Sequence, residues 1–472
     1  MLTGRRLPRA SATVRRLSPL LIIAIVWLAV ADIPTQLRVG PLSLSGIATL
    51  LSGLAAVVLA PALLLHGRGR SAPRSWRYAI APGARRGVVP ITLVLFCALA
   101  LIGLARHDSQ NAIQQVAVYC GFAAAIAVGA LYSERDTADR FLRATGIIMG
   151  VVGIVAIPVF LVDPTLLWSP RAFALAAMVG VATLVPHRST NPLVRLAPYA
   201  LTAAIAASLS RTALVISVLL LAFAILRSRH GMRGGRIVLA LVALAAAAVV
   251  AFLAIPSLRD RFTTGDNGVD IGGVELNTSG RTQIWALVIQ DVQRNPWFGL
   301  GPGSASDVIT ARYPFIAQPH NDYLRLWHDF GLLGVGLFVL GLLALVVSAL
   351  VRARRAPLQD RAIHWGAALS LLTVVASALT DNPLIYPFVM IPLGIIVGLS
   401  IGRREIDRAP VPDRRRSHRV RTQGAGIPVP RWSVPAGGPH APDRKRIGAA
   451  PQGATTSWTT LAVASSAGST AA

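Results

Sequence analysis

Residues 277–336 read NTSGRTQIWALVIQDVQRNPWFGLGPGSASDVITARYPFIAQPHNDYLRLWHDFGLLGVG. They form the latter part of the one long interval between apolar segments. Charged, aromatic and glycine residues gather there in a chain otherwise dominated by Ala, Leu and Val. The segments on either side decide the fold. They are apolar runs of about 20 residues, each long enough to cross ~30 Å of hydrocarbon.

Hydrophobic residues make up 54% of the 472, charged residues only 14%, and mean hydropathy is +0.59. That balance excludes a soluble globule and fits a polytopic membrane protein. The net charge of +26 suggests nucleic acid as a partner. The arginines argue against it, because they sit in short clusters between apolar runs, which is how a membrane protein marks its cytoplasmic side. Cys97 and Cys120 both fall inside apolar runs and read as small core residues rather than a disulfide or metal pair. Basic residues precede the run Leu20–Ala31, no small-residue cleavage site stands out, and similar runs follow, so the first helix is expected to stay uncleaved.

Twelve candidate spans can be drawn, at 18–34, 41–65, 88–105, 112–132, 142–162, 170–186, 193–209, 211–226, 236–255, 327–351, 361–380 and 383–401. No period-2 alternation recurs, and backbone satisfaction in lipid then leaves helices. The expected fold is all-α, with about nine transmembrane helices over 18–255 and three over 327–401. Ser208–Thr212 leaves almost no loop between the seventh and eighth spans, so the seventh reads equally as a short or re-entrant helix.

With twelve spans, the basic clusters at Arg5–Arg16, Arg68–Arg86, Arg135–Arg143, Arg188–Arg195, Arg227–Arg236 and Arg352–Arg361 all fall on one side. The alternate short loops hold only Arg38, Arg106 and Arg171. Residues 1–17 and both termini are therefore expected to be cytoplasmic, in a bacterial inner membrane, and 256–326 forms one large extracytoplasmic loop. Residues 402–472 are rich in Arg, Pro, Gly, Ser and Thr and read as a disordered basic cytoplasmic tail.

Within the outer loop, Asn277–Gly280 offers helix-capping chemistry, and Ile284, Trp285, Val288 and Val292 recur at helical spacing. Asn295-Pro296 stops that helix. Ser304–Arg312 reads as a second short helix. No phosphate loop, GxGxxG after a strand, CxxC pair or HExxH is present, so no cofactor or metal is implied.

Three residues carry chemistry. Arg281 opens a helix at the membrane surface, where free backbone N–H groups also favour anions. Arg211 interrupts an almost continuous apolar stretch, a placement that costs ~2.5–3.5 kcal/mol at a membrane centre and usually implies an anionic partner or a reach to the surface. His320 stands where the chain enters the membrane, and an ordinary imidazole is mostly neutral at external pH and able to take a proton. His328 and His107 are weaker candidates. Guanidinium forks bind phosphate oxygens bidentately. Two of them with a neutral imidazole suit a membrane diphosphate leaving group and a sugar hydroxyl as nucleophile.

Ser210-Arg211-Thr212, Ser279-Gly280-Arg281 with Trp285, Asn295–Gly303, Pro319–Leu324, Asp329 ahead of Gly331 and Gly334, and Asp381-Asn382-Pro383 with Tyr386-Pro387 resemble the O-antigen ligase and polymerase superfamily of bacterial membrane glycosyltransferases. The resemblance covers residues 205–400. It implies transfer of a glycan from a polyprenyl-diphosphate carrier to a glycan, lipid or protein acceptor at the outer face, without a metal and with inversion at the anomeric carbon. It also implies that Arg211 and Arg281 hold the diphosphate and His320 is the base, with Ser210, Asn321 and Asp329 in support. Polymerase and ligase stay undivided at this level. A lipid-linked-sugar flippase or transporter is the alternative reading, and a peptidoglycan-type polymerase working with a partner is a third.

Overall fold

The computed structural model describes residues 89–107, 109–131, 133, 135–163, 169–227 and 281–403, scattered positions between 235 and 253, and two short hairpins. The hairpins are β1 (Arg38–Val39) with β2 (Leu42–Ser43) and β3 (Val269–Ile271) with β4 (Val274–Leu276), each antiparallel. The spans expected at 18–34 and 41–65, most of 236–255, the cap Asn277–Gly280 and the tail beyond Arg403 lie outside the described residues.

All other regular structure described is helical. In order come α1 (Ile91–Gly103), α2 (Gln110–Leu131), α3 (Arg135–Val162), α4 (Pro170–Leu184), α5 (Pro192–Ala207), α6 (Arg211–Arg227), α7 (Arg281–Val292), α8 (Ser304–Arg312), α9 (Asp322–Arg355), α10 (Arg361–Ser377) and α11 (Pro387–Gly402). Proline at the first turn opens α4, α5 and α11, where its missing N–H costs nothing. Asn191 caps α5 by accepting from Leu193 N–H at 2.9 Å.

Helices thus stand at the expected spans from 88 to 226 and again from 327 onward. Among the described residues, three are long and apolar enough to cross a bilayer: α2 over Gln110–Ala130, α3 over Ala138–Val162, and α9 over Asp322–Arg355. Val151, Ile154, Val155, Leu161, Leu340, Leu343 and Val347 are exposed and give α3 and α9 an apolar outer surface of the kind that suits lipid rather than water. The seventh and eighth spans are separate helices, α5 and α6, joined by a three-residue turn in which Leu209 takes a φ of 58°.

The packing sets α2 against α11, α3 against α5, and α9 against α1 and α10. Glycines let the first two pairs meet at backbone distance. A Cβ on Gly394, Gly398 or Gly402 would strike the α2 backbone, and one on Gly150 or Gly153 would press on α5. Small residues of this kind are how helices associate where lipid tails are as apolar as the side chains.

The tenth span does not run as the straight helix expected over 327–351. It starts at Asp322 and breaks at Gly331, whose φ of 67° and ψ of −175° only glycine adopts readily. Phe330, just before the break, sits edge-on to Phe96 of α1 and Tyr119 of α2, with centroids 5.1 and 5.9 Å away. Two turns further on, Phe338 joins the same cluster at 4.9 Å from Phe96.

Gly331→Ala places a Cβ against the Trp297 carbonyl in a backbone region closed to alanine. Strain and overpacking together are expected to destabilise the fold by about 3 kcal/mol or more, read as a lower unfolding midpoint in detergent micelles. An unchanged midpoint would contradict the described break.

Candidate active site

The loop after α7 docks onto the break in α9. The Leu300 and Gly301 amides donate to the His328 and Asp329 carbonyls, both at 2.9 Å. In return the Leu332 and Leu333 amides donate to the Pro296 and Trp297 carbonyls at 2.9 and 3.2 Å. The peptide groups that the kink leaves without helical partners are therefore satisfied by Asn295–Gly303. Gly299, Gly301 and Gly303 all have positive φ, and a Cβ on Gly299 would meet the Asp329 backbone.

Asp329 fastens the end of that loop. Its carboxylate accepts from Gly303 N–H (3.0 Å), Ala305 N–H (2.9 Å) and Ser304 Oγ (3.1 Å), at the N-terminus of α8, where a negative charge is favoured. His328 spans the same core, with Nε2 3.0 Å from Asp291 of α7 and Nδ1 3.1 Å from Ser304. Both residues are buried. His328 and Asp329 hold α7, α8 and α9 together. His107, the other minor candidate, pairs with Asp307 of α8 at a half-buried position.

His320 lies in the short connection from α8 to α9, with φ at 53°. A left-handed conformation costs a non-glycine residue about 1–2 kcal/mol, so its flanks must hold it. Trp285 Nε1 of α7 donates to the Pro319 carbonyl at 2.7 Å. On the other side the Asn321 side chain caps α9, accepting from Leu324 N–H at 3.0 Å. The Asp322 amide then donates to the Ala378 carbonyl at 2.8 Å.

The end of α10 gathers the charged residues. The Thr380 carbonyl accepts from Arg281 Nη1 at 2.6 Å, and its hydroxyl meets that of Thr212, next to Arg211, at 2.8 Å. Asp381 Oδ2 lies 3.4 Å from Arg171 Nε. Asn382 Oδ1 is 2.8 Å from His320 Nδ1. Three consecutive residues thereby collect side chains from α4, α6, α7 and the α9 entrance.

This arrangement sets the imidazole's chemistry. An amide oxygen only accepts, so Nδ1 carries the proton and Nε2 holds the lone pair. Burial, and after it the Arg171 charge, hold the His320 pKa down at about 4, so the ring is neutral at ordinary pH. Burial, then the charges of Arg171 and Arg211, lower that of Arg281 to about 10, which leaves it protonated. Burial pushes the Asp381 carboxyl upward, against the pull of Arg171.

Arg211, Arg281 and His320 thus share one electrostatic neighbourhood. Ser210 begins α6 through its carbonyl, which accepts from Leu214 N–H at 3.0 Å. Asn321 and Asp329 act on the loops that present the site. Arg171, Thr380 and the direct contact of Asn382 were not among the residues expected. The signal for Arg171 was its position, as one of three arginines in the short loops opposite the basic clusters. Among the described residues, no three His, Cys, Asp or Glu side chains are grouped to hold a metal ion.

A family model described as O-antigen ligase matches residues 198–339. The matched span runs from α5 into α9, takes in Arg211, Arg281, His320 and Asp329, and leaves Arg171 and Thr380–Asn382 outside. No curated protein matches the chain.

Asp329→Asn turns one acceptor oxygen into an amide donor facing backbone N–H groups. The expected cost is about 1–3 kcal/mol. Hydrogen exchange should show faster exchange at the Gly303 and Ala305 amides, and unchanged protection there would exclude this role for Asp329.

Proposed function

We propose, from the match of residues 198–339 to an O-antigen ligase family model, that the chain transfers or polymerises glycan from a polyprenyl-diphosphate carrier onto an acceptor at the outer membrane face. Arg211 and Arg281 hold the two phosphates. His320 Nε2 takes the proton of an acceptor hydroxyl as its oxygen attacks the anomeric carbon. The bond from that carbon to the diphosphate oxygen breaks on the opposite face, inverting the centre. The guanidinium forks receive the charge that builds on the departing diphosphate, at the point where fixed positive charge lowers a barrier most. No step calls for a metal.

One observation carries this reading. Thr380–Asn382 brings a fixed-tautomer histidine and the Arg281 fork onto one three-residue segment, with the Arg211 neighbour Thr212 on the same anchor. Twelve spans, with the basic clusters cytoplasmic, give this segment an outward position at the end of the eleventh span. In that frame the donor's lipid stays in the bilayer while its sugar meets the acceptor outside. The acceptor is a glycan, a lipid or a protein.

The test is transfer by the purified protein from a polyprenyl-diphosphate-linked oligosaccharide in liposomes. His320→Ala is expected to lower kcat by about 10²–10⁴-fold, the usual contribution of a positioned base. Arg281→Lys should also impair transfer, because an ammonium point charge does not replace a planar fork. Full transfer by His320→Ala, or flipping of labelled lipid with no elongation, would overturn the assignment.

A further inference from the structure

The mechanism above leaves Arg171 without a task, yet Arg171 is the cation nearest the base. Its Nη1 lies 2.9 Å from His320 Nε2 and 3.1 Å from Nδ1. An atom almost equidistant from both ring nitrogens does not lie in the ring plane, where Cε1 fills that space. The guanidinium therefore lies over the face of the imidazole. Its Nε is tied to Asp381 Oδ2 at 3.4 Å. The charged groups facing the ring are Arg171 from α4, Arg281 from α7 and Asp381 from the end of α10, whose Oδ1 is 3.9 Å from Nδ1. The charge of Arg211 of α6 acts on Arg281.

We propose that Arg171 couples donor binding to the basicity of His320: in the empty site its guanidinium rests on the imidazole, and a bound diphosphate draws it away and offsets its charge. The inference rests on His320 being the base. A base that gains a proton becomes imidazolium, and a guanidinium in contact with it repels that charge. Asp381 is a single carboxylate already shared with Arg171. A diphosphate diester carries two negative charges and, gripped by Arg281 on the Thr380 carbonyl, lands beside Arg171, which is tied to the next residue, Asp381. The low His320 pKa then belongs to the empty site, and loading the donor removes the second of its causes. The proton still passes from the acceptor hydroxyl to Nε2, and the electron pair of the broken bond leaves with the diphosphate. Arg171 forms no bond; it is a positioning residue that keeps the base idle until a leaving group is present.

Two pH profiles separate the states. The acid limb of kcat/KM for the donor reports the empty enzyme, and that of kcat reports the loaded one. A base must be neutral, so each limb marks the pH below which His320 is protonated. In the unmodified protein the kcat limb is expected about one pH unit or more above the kcat/KM limb. In Arg171→Gln the kcat/KM limb should rise and the gap between the limbs should narrow, whereas Arg171→Lys, which keeps the charge, should leave the gap as it is. A purely structural role for Arg171 would lower kcat in both variants without moving either limb. Coincident limbs in the unmodified protein, or a gap in Arg171→Gln as wide as in the unmodified protein, overturn the coupling.

A second measurement needs no turnover. Diethyl pyrocarbonate modifies neutral imidazole, so labelling of His320 against pH, read by mass spectrometry, gives its midpoint directly. Inorganic pyrophosphate should raise that midpoint in the unmodified protein, and a midpoint it does not move overturns the coupling. Full activity of His320→Ala would sink the proposed function instead. Loss of activity in that variant together with coincident limbs would sink this inference alone.

Discussion

Inside an apolar surrounding, a peptide group without a partner is among the costliest things a chain can hold, and α9 creates several of them where it passes through Gly331. The site depends on how they are satisfied. Asn295–Gly303 supplies two amides and two carbonyls, one for each group the kink releases, and in doing so becomes a fixed part of the helix it docks on. With that loop fixed, Asp329 and His328 can seat α8 and α7, and α7 in turn presents Arg281 and the Trp285 indole that holds Pro319. A mobile loop would leave His320 free to relax out of its left-handed conformation. The kink converts an irregular connection into a rigid mount.

The second element of the design is the short strap Thr380–Asn382. It accepts rather than donates toward its basic partners, through a carbonyl, a carboxylate and an amide oxygen. That suits a region where several cations crowd together, since each must have some oxygen partner before any substrate arrives. Pro383 and the single 3₁₀ turn Pro383–Ile385 hold the strap against α11, and the Leu384 amide donates to Asp322 at 2.7 Å. The turn between α10 and α11 is in this way fastened to the entrance of α9. Arg325, buried with Asp322 and bonded to the Tyr119 hydroxyl at 3.0 Å, extends the same fastening to α2.

Much of the architecture was legible because its signals are local. Apolar runs of helical length announce helices, Asn295-Pro296 ends α7, and Ser304–Arg312 is bounded in the structure where its sequence suggested. Arg211, Arg281 and His320 stood out because charge and imidazole are rare in this chain's apolar half. The broken α9 was not legible. Gly331 sits in a run that hydropathy reads as continuous, and its cause is a partner segment some thirty residues earlier. Arg171 is hidden from the sequence for a related reason. Taken alone it is an interfacial arginine at the start of a short helix, and only the fold brings it to His320. The strap residues Thr380 and Asn382 carry no charge, so their role appears only once their neighbours are known.

The seam between α2 and α11 has a further consequence. Gly129, Gly398 and Gly402 leave no room for a side chain, so each backbone bears directly on the other along several turns. A stiff rod supported along one edge behaves as a lever: whatever prises it away at one end displaces the other. The near end of α11 carries Tyr386, Pro383 and, through them, the oxygen that selects the tautomer of His320. A bulky substitution at the Gly402 end of this helix can therefore disturb the His320 setting at its other end while touching none of its residues, and an inactive allele mapped to Gly402 need not mark a second active centre.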